Sequence, residues 1–182
     1  MGGDPVLDAA RAAVLARFRW VAGDADLWPV LRDPAALPAV VRALAEPFRD
    51  VHVDAVVGIE ARGFVLGPAV AVELGAGFVP VRTDGGMLPG PVVRRRADFD
   101  YRGRRRELAT RSDLVQPGDR VLLVDDWVEV GAQALAACAL VEQCGGELVG
   151  LSVVVDQASD EARAALPPVR GVVSAAELGP SA

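Results

Sequence analysis

Unbroken apolar runs alternate with stretches of helical period along most of the chain. Residues 53–57, 77–82, 121–124, 147–155 and 169–173 string aliphatic and β-branched side chains together, the pattern of short strands with both faces covered. Helical spacing lies between them. A first helix is expected from a cap at Asp4 or Asp8 to about Trp20, with Val6, Ala10, Val14 and Phe18 near one face. A second spans 34–48 behind Pro34, with Leu37, Val40, Val41 and Leu44 as its apolar face. Others follow at 64–74, from 132 to about 144, and at 160–165, where Pro167 and Pro168 break the chain. Strand and helix in alternation indicate an α/β fold with a mainly parallel sheet.

The stretch from Arg120 to Ala136 carries the densest chemistry. A buried strand ends in two adjacent acids, Asp125 and Asp126, followed by a short loop and a helix start. Acids at the carboxyl end of such a strand face the crevice in which open α/β sheets bind ligands. The loop 127–131 then presents backbone N–H groups at a helix start, where anions are favoured. A ligand with both hydroxyls and a phosphate suits that pairing, and a ribose phosphate fits.

Composition narrows the classes. With 182 residues, 52% hydrophobic and 24% charged, the expectation is one soluble, globular domain covering 1–182. A net charge of −6 argues against general nucleic-acid affinity. No apolar run approaches a membrane span, and Asp4 and Asp8 stand where a secretion signal would be basic, so a cytoplasmic protein without membrane association is expected. All 19 basic residues are arginine and there is no asparagine, the mark of a GC-rich genome, so an arginine alone does not indicate bidentate recognition. Cys138 and Cys144 lie six positions apart on one helix, a spacing that reads as core and helix end. His52, the only histidine, has no partner at catalytic spacing and receives no role.

Two motifs carry a family resemblance. The strand, Asp125-Asp126 and the following loop resemble the phosphoribosyl-diphosphate (PRPP) motif of type I phosphoribosyltransferases. Val57-Gly58-Ile59-Glu60-Ala61-Arg62-Gly63-Phe64 through Gly67-Pro68-Ala69 is similar to the pattern of the adenine phosphoribosyltransferases. The resemblance covers about 27–155. It implies a five-stranded, mainly parallel sheet flanked by helices, a small N-terminal hood (about 1–34) and a mobile hairpin. It also implies a homodimer, PRPP and a heterocyclic base or nucleotide as small-molecule substrates, and Mg²⁺ carried with the diphosphate.

Site roles follow from the same resemblance. Asp125 and Asp126 would hold the ribose hydroxyls, and Glu129, Val130, Gly131, Ala132 and Gln133 would form the 5′-phosphate loop. Glu60, Ala61, Arg62 and Gly63, with Arg82, would bind diphosphate; glycine at Gly58 and Gly63 would let the main chain approach an anion. The plain reading of that turn is an ordinary strand-to-helix connection. Trp127 either stacks on the base or packs into the sheet. Glu129 stands where hypoxanthine-guanine phosphoribosyltransferases carry an aspartate, so it is either a general acid or base or an exposed loop glutamate that repels phosphate. Asp100, in Asp100-Tyr101, matches a catalytic acid of the family loosely.

The departures matter as much. The family's Pro-x-Pro-Gly segment before its Phe-Arg-Asp is replaced by residues 21–25, and both lysines of its Lys-Pro-Gly-Lys segment are lost from 83–89. Both loop threonines have become Val130 and Gln133, which would weaken phosphate binding unless the Gln133 amide substitutes. Residues 92–108 hold seven arginines, either a solvated face or a closing hairpin in which residues 94–96 or 104–106 replace the lysines. Two functions remain in play: a transferase moving ribose 5-phosphate to a purine-like base, and a catalytically weak member of the fold that binds PRPP or a nucleotide as a sensor.

Overall fold

The computed structural model describes residues 4–99 and 103–180. Strand β3 (Ala55–Ile59), the centre of the fold, is buried along its whole length. It pairs in parallel with β4 (Gly77–Thr83) on one side and β7 (Arg120–Val128) on the other. β8 (Glu147–Asp156) and β9 (Val169–Ser174) continue the parallel order beyond β7. β5 (Val92–Arg96) and β6 (Glu107–Arg111) join beyond β4 as an antiparallel hairpin. Among the described residues the sheet thus runs β5-β6-β4-β3-β7-β8-β9. The five expected parallel strands are present, and the arginine-rich hairpin adds two more. The hairpin that the resemblance implied over 92–108 is thus present, and its alternation is poor because β5 is an edge strand whose Arg94, Arg95 and Arg96 all stay exposed.

Helices cover both faces. On one, α1 (Pro5–Arg17), α3 (Ala36–Ala45) and α4 (Gly63–Leu74) bury Val14, Val40, Leu44, Leu66 and Val70 against Val56, Leu122 and Val154. On the other, α5 (Ala132–Gln143) packs Ala137, Leu140 and Val141 against Val57, Leu123 and Val153. The two sets alternate along each strand, the signature of a sheet buried on both sides. Local chemistry marks the helix ends. The Asp4 carboxylate accepts the Val6 N–H at the start of α1, the Ser159 hydroxyl accepts the Ala162 N–H at the start of α6 (Asp160–Ala165), and α4 stops at Gly75 with φ of 69°.

The first helix is shorter than its pattern suggests. It ends at Arg17, and Arg19–Val21 forms β1, paired antiparallel with β2 (Asp24–Asp26) through a turn in which Ala22 and Gly23 have φ of 51° and 81°. Positive φ at both turn residues is the type I′ geometry of a two-residue hairpin. Helix α2 (Trp28–Arg32) leads from it to α3. This hairpin stands in the place of the absent hood signature.

Candidate functional site

A cleft of about 720 Å³ opens at the carboxyl ends of β3 and β7. Each wall is a separate piece of chain. Asp125 and Asp126 form the floor, and residues 128–134 form one end. The turn 60–62 closes the opposite side, Trp20 and Gly23–Ala25 hang over it from the hood, and Arg104 and Arg106 reach in from the hairpin.

The two acids differ. Asp126 is buried and makes an ion pair with Arg62 across the cleft, whereas Asp125 lies half-buried and accepts the Asp126 backbone N–H at 2.9 Å. Protein packed around the Asp125 carboxyl strips its solvent, and Asp126 beside it adds like charge; together they raise its pKa well above the usual carboxylate value. The ion pair ties Asp126 to the turn 60–62, so its removal would take from the partly exposed Arg62 guanidinium its carboxylate partner.

The Glu60–Gly63 turn is held by its own backbone. A Cβ on Gly58 would lie 2.2 Å from the Gly63 carbonyl oxygen, and one on Gly63 would lie 3.1 Å from Gly58 carbonyl carbon and 3.3 Å from Asp125 Oδ1. The close approach these glycines permit is therefore between themselves and to β7, which presses the turn down beside the acids. The Glu60–Ala61 peptide is cis. Glu60, Ala61 and Arg62 line the cleft; Gly63 opens α4 behind them. Arg82 stands outside the cleft: its guanidinium donates twice to Glu60, at 3.0 and 3.3 Å, and once to the Met87 carbonyl. That guanidinium, together with the Thr83 N–H, holds the Glu60 carboxyl below its ordinary pKa. Among the described residues the cations lining the cleft are instead Arg62, Arg104 and Arg106, the last also 3.4 Å from Asp84.

The loop after β7 turns into α5 at Gly131, where φ is 74° and a Cβ would meet Ala162 and Leu166 of the α6 region at 3.3 Å. Ala132, Gln133 and Ala134 form the first turn of α5 at the cleft wall, and the N–H groups of a first turn have no carbonyl within the helix to receive them. They are aimed where an anion fits. Glu129, half-buried, and Val130, exposed, sit at the same rim. Asp100, the other expected acid, lies outside the described residues.

Trp127 does two things at once. Its ring packs with Phe18 and Trp20, at centroid separations of 6.3 and 6.0 Å, and both Trp20 and Trp127 border the cleft. Its indole N–H donates to Gln157 Oε1 at 2.9 Å. Neither Trp20 nor Gln157 is a site residue in the sequence reading. The two-residue turn at Ala22-Gly23 is the signal that would have placed Trp20 on a hairpin; Gln157 has no local signal.

Among the described residues no group of three or more histidine, cysteine or acidic side chains is placed to hold a metal ion. The oxygen donors of the cleft floor are Asp125 and Asp126. Likewise, none of the described helices is long and apolar enough to cross a membrane.

The phosphoribosyl transferase domain model matches residues 29–173. The adenine phosphoribosyltransferase of Nitrosospira multiformis is 44% identical over 131 residues, 72% of this chain and 73% of that protein. That of a Synechococcus strain is 42% identical over 144 residues, 79% of this chain and 81% of that one. Among solved structures, adenine phosphoribosyltransferase from Rhodothermus marinus superposes with a TM-score of 0.81 at 36% identity, over 92% of this chain and 99% of that one. The Saccharomyces cerevisiae enzyme, complexed with D-2,5-dideoxy-2,5-imino-altritol 1,6-bisphosphate and adenine, gives 0.79 at 30% identity, over 91% and 99%.

Proposed function

The chain belongs to the phosphoribosyl transferase family, and from that membership we propose that it transfers ribose 5-phosphate from PRPP to a purine base, adenine foremost, with release of diphosphate. The observation that carries the reading is the acid pair on the cleft floor, set between the turn 60–62 and the first turn of α5. A ribose phosphate laid along this cleft puts its hydroxyls on Asp125 and Asp126 and its 5′-phosphate against the amides of Ala132, Gln133 and Ala134. Its diphosphate lies at Arg62, with Arg104 and Arg106 above. The sensor reading rests on the altered loop alone and is not favoured beside relatives 44% identical over most of the chain.

In the reaction a base nitrogen forms a bond to ribose C1 as the C1–oxygen bond to diphosphate breaks. Positive charge grows on the ribose ring, and the carboxylates of Asp125 and Asp126 beneath it stabilise that charge. Arg62 turns from Asp126 toward the departing diphosphate, so substrate entry exchanges one ion pair for another. Glu129, which lines the same cleft, takes the proton that the attacking base loses. Mg²⁺ bound with the diphosphate would offset part of its charge, and Asp125 and Asp126 are the cleft-floor oxygens that would hold it or its waters.

Incubation with PRPP, Mg²⁺ and a panel of purines and pyrimidines tests the reading. Stoichiometric diphosphate and AMP from adenine are expected. Binding of PRPP or nucleotide with no product from any base would replace the transferase by the sensor.

The pairing of two copies belongs to the same proposal. Helix α4 is apolar apart from Glu73, yet leaves Val72 83% and Val65 39% exposed. Such a face is expected to be covered by a second copy. Sedimentation velocity should report twice the 19.0 kDa chain mass, and a monomer at every concentration would remove the dimer.

A further inference from the structure

We infer that Gln157 is a specificity-determining residue, whose side-chain amide N–H₂ donates to an acceptor nitrogen on the edge of the bound base while its oxygen holds Trp127 in place. The inference rests on the transferase reading and adds a contact to it. Three observations carry it. First, Gln157 borders the cleft although it belongs to neither motif of the acid pair or the diphosphate turn. It follows β8 directly, beside the rim of β7: Val128 pairs with Asp156, and the Gln157 backbone N–H donates to the Val128 carbonyl at 2.9 Å. Its backbone is thereby fixed against the strand that carries the acids.

Second, the orientation of the carboxamide follows from chemistry. An indole N–H can only donate, so the atom 2.9 Å from Trp127 Nε1 must be the amide oxygen. The nitrogen, with two donors, then occupies the other branch. Third, Trp127 is the wall this contact steadies. Its ring packs against Trp20 of the hood hairpin, so Gln157 stands at the hood end of the cleft. The anion-binding amides of α5 lie on the loop beyond Glu129. A flat, apolar ring against the tryptophans would meet the Gln157 donors at its edge. Adenine offers three ring acceptors there besides the nitrogen that attacks ribose.

Gln157→Glu isolates the donor. The carboxylate still accepts the indole N–H, so Trp127 keeps its partner, but it turns lone pairs on the base. Gln157 is exposed at the mouth of the cleft, so adenine KM is expected to rise on the order of 3- to 10-fold, the worth of one neutral hydrogen bond lost with repulsion added. PRPP KM and kcat should stay within roughly threefold, because the contact is made equally in ground and transition states. Analogues in which each ring acceptor is replaced in turn by CH supply the second readout. The wild type should lose affinity for one of them, and Gln157→Glu and Gln157→Met should no longer distinguish that analogue from adenine. A wild type that turns over adenine with the same KM as Gln157→Glu would overturn the inference and leave the transferase standing, as would a rise confined to PRPP. A wild type that turns over no base would overturn both.

Discussion

Asp125→Asn is expected to make the protein more stable at neutral pH while lowering turnover by about three orders of magnitude. The stability half follows from the raised pKa of the Asp125 carboxyl. A group that holds its proton more tightly folded than unfolded penalises the folded state once pH climbs past the unfolded value near 3.8, and the penalty is complete above the folded value. Below the unfolded value it vanishes. Asparagine removes the charge and its oxygen can still accept the Asp126 N–H. The gain should be about 1 kcal/mol, or roughly 2–4 °C in Tm, at pH 7 and should fade toward pH 4. The activity half follows because, in the proposed reaction, this same carboxylate faces the positive charge on the ribose ring; losing one preorganised electrostatic partner costs about 10²–10³ in kcat, and ribose binding is impaired as well. Thermal melts at two pH values and steady-state kinetics decide it. An unchanged Tm at pH 7 would show that Asp125 is not held against its charge, and unchanged turnover would make the acid structural.

Val130→Thr should tighten PRPP binding by about 10- to 100-fold, and Gln133→Ala should weaken it by a similar factor. Valine and threonine share a shape, so the loop keeps its course and gains a hydroxyl at the cleft rim. A hydrogen bond to a charged acceptor contributes about 1.5–3 kcal/mol. Gln133 lies in the first turn of α5, where its amide N–H₂ can add to the backbone donors. Titration calorimetry with PRPP reads both variants. If Val130→Thr leaves PRPP affinity unchanged and impairs turnover, the loop is shaped for another phosphorylated sugar, and the substrate assignment moves with it.

Much of this protein is decided within a few residues of sequence. The five parallel strands follow from apolar runs that only a doubly covered sheet accepts, and the short helix Asp160–Ala165 from the prolines behind it. Asp125 and Asp126 were legible for a similar reason, since strand, acids, loop and helix start are contiguous and local geometry alone points them at one crevice. Other features depend on partners distant in sequence. The helical period through Phe18 and Trp20 is broken because both rings pack with Trp127, more than a hundred residues away. Arg82 reads as a substrate cation until Glu60, across β3 and β4, takes its guanidinium, whereas Arg62 pairs with Asp126 at the floor of the cleft. Gln157 is silent in sequence and speaks only through the indole it meets. Backbone preference and hydrophobic period act over a turn or a strand, so sequence determines where the elements and the acid pair fall. Charge pairing and side-chain stacking act through space at a few ångströms, so only the assembled sheet decides which arginine faces the cleft, which acid bears the cost of desolvation and which distant residues line the walls.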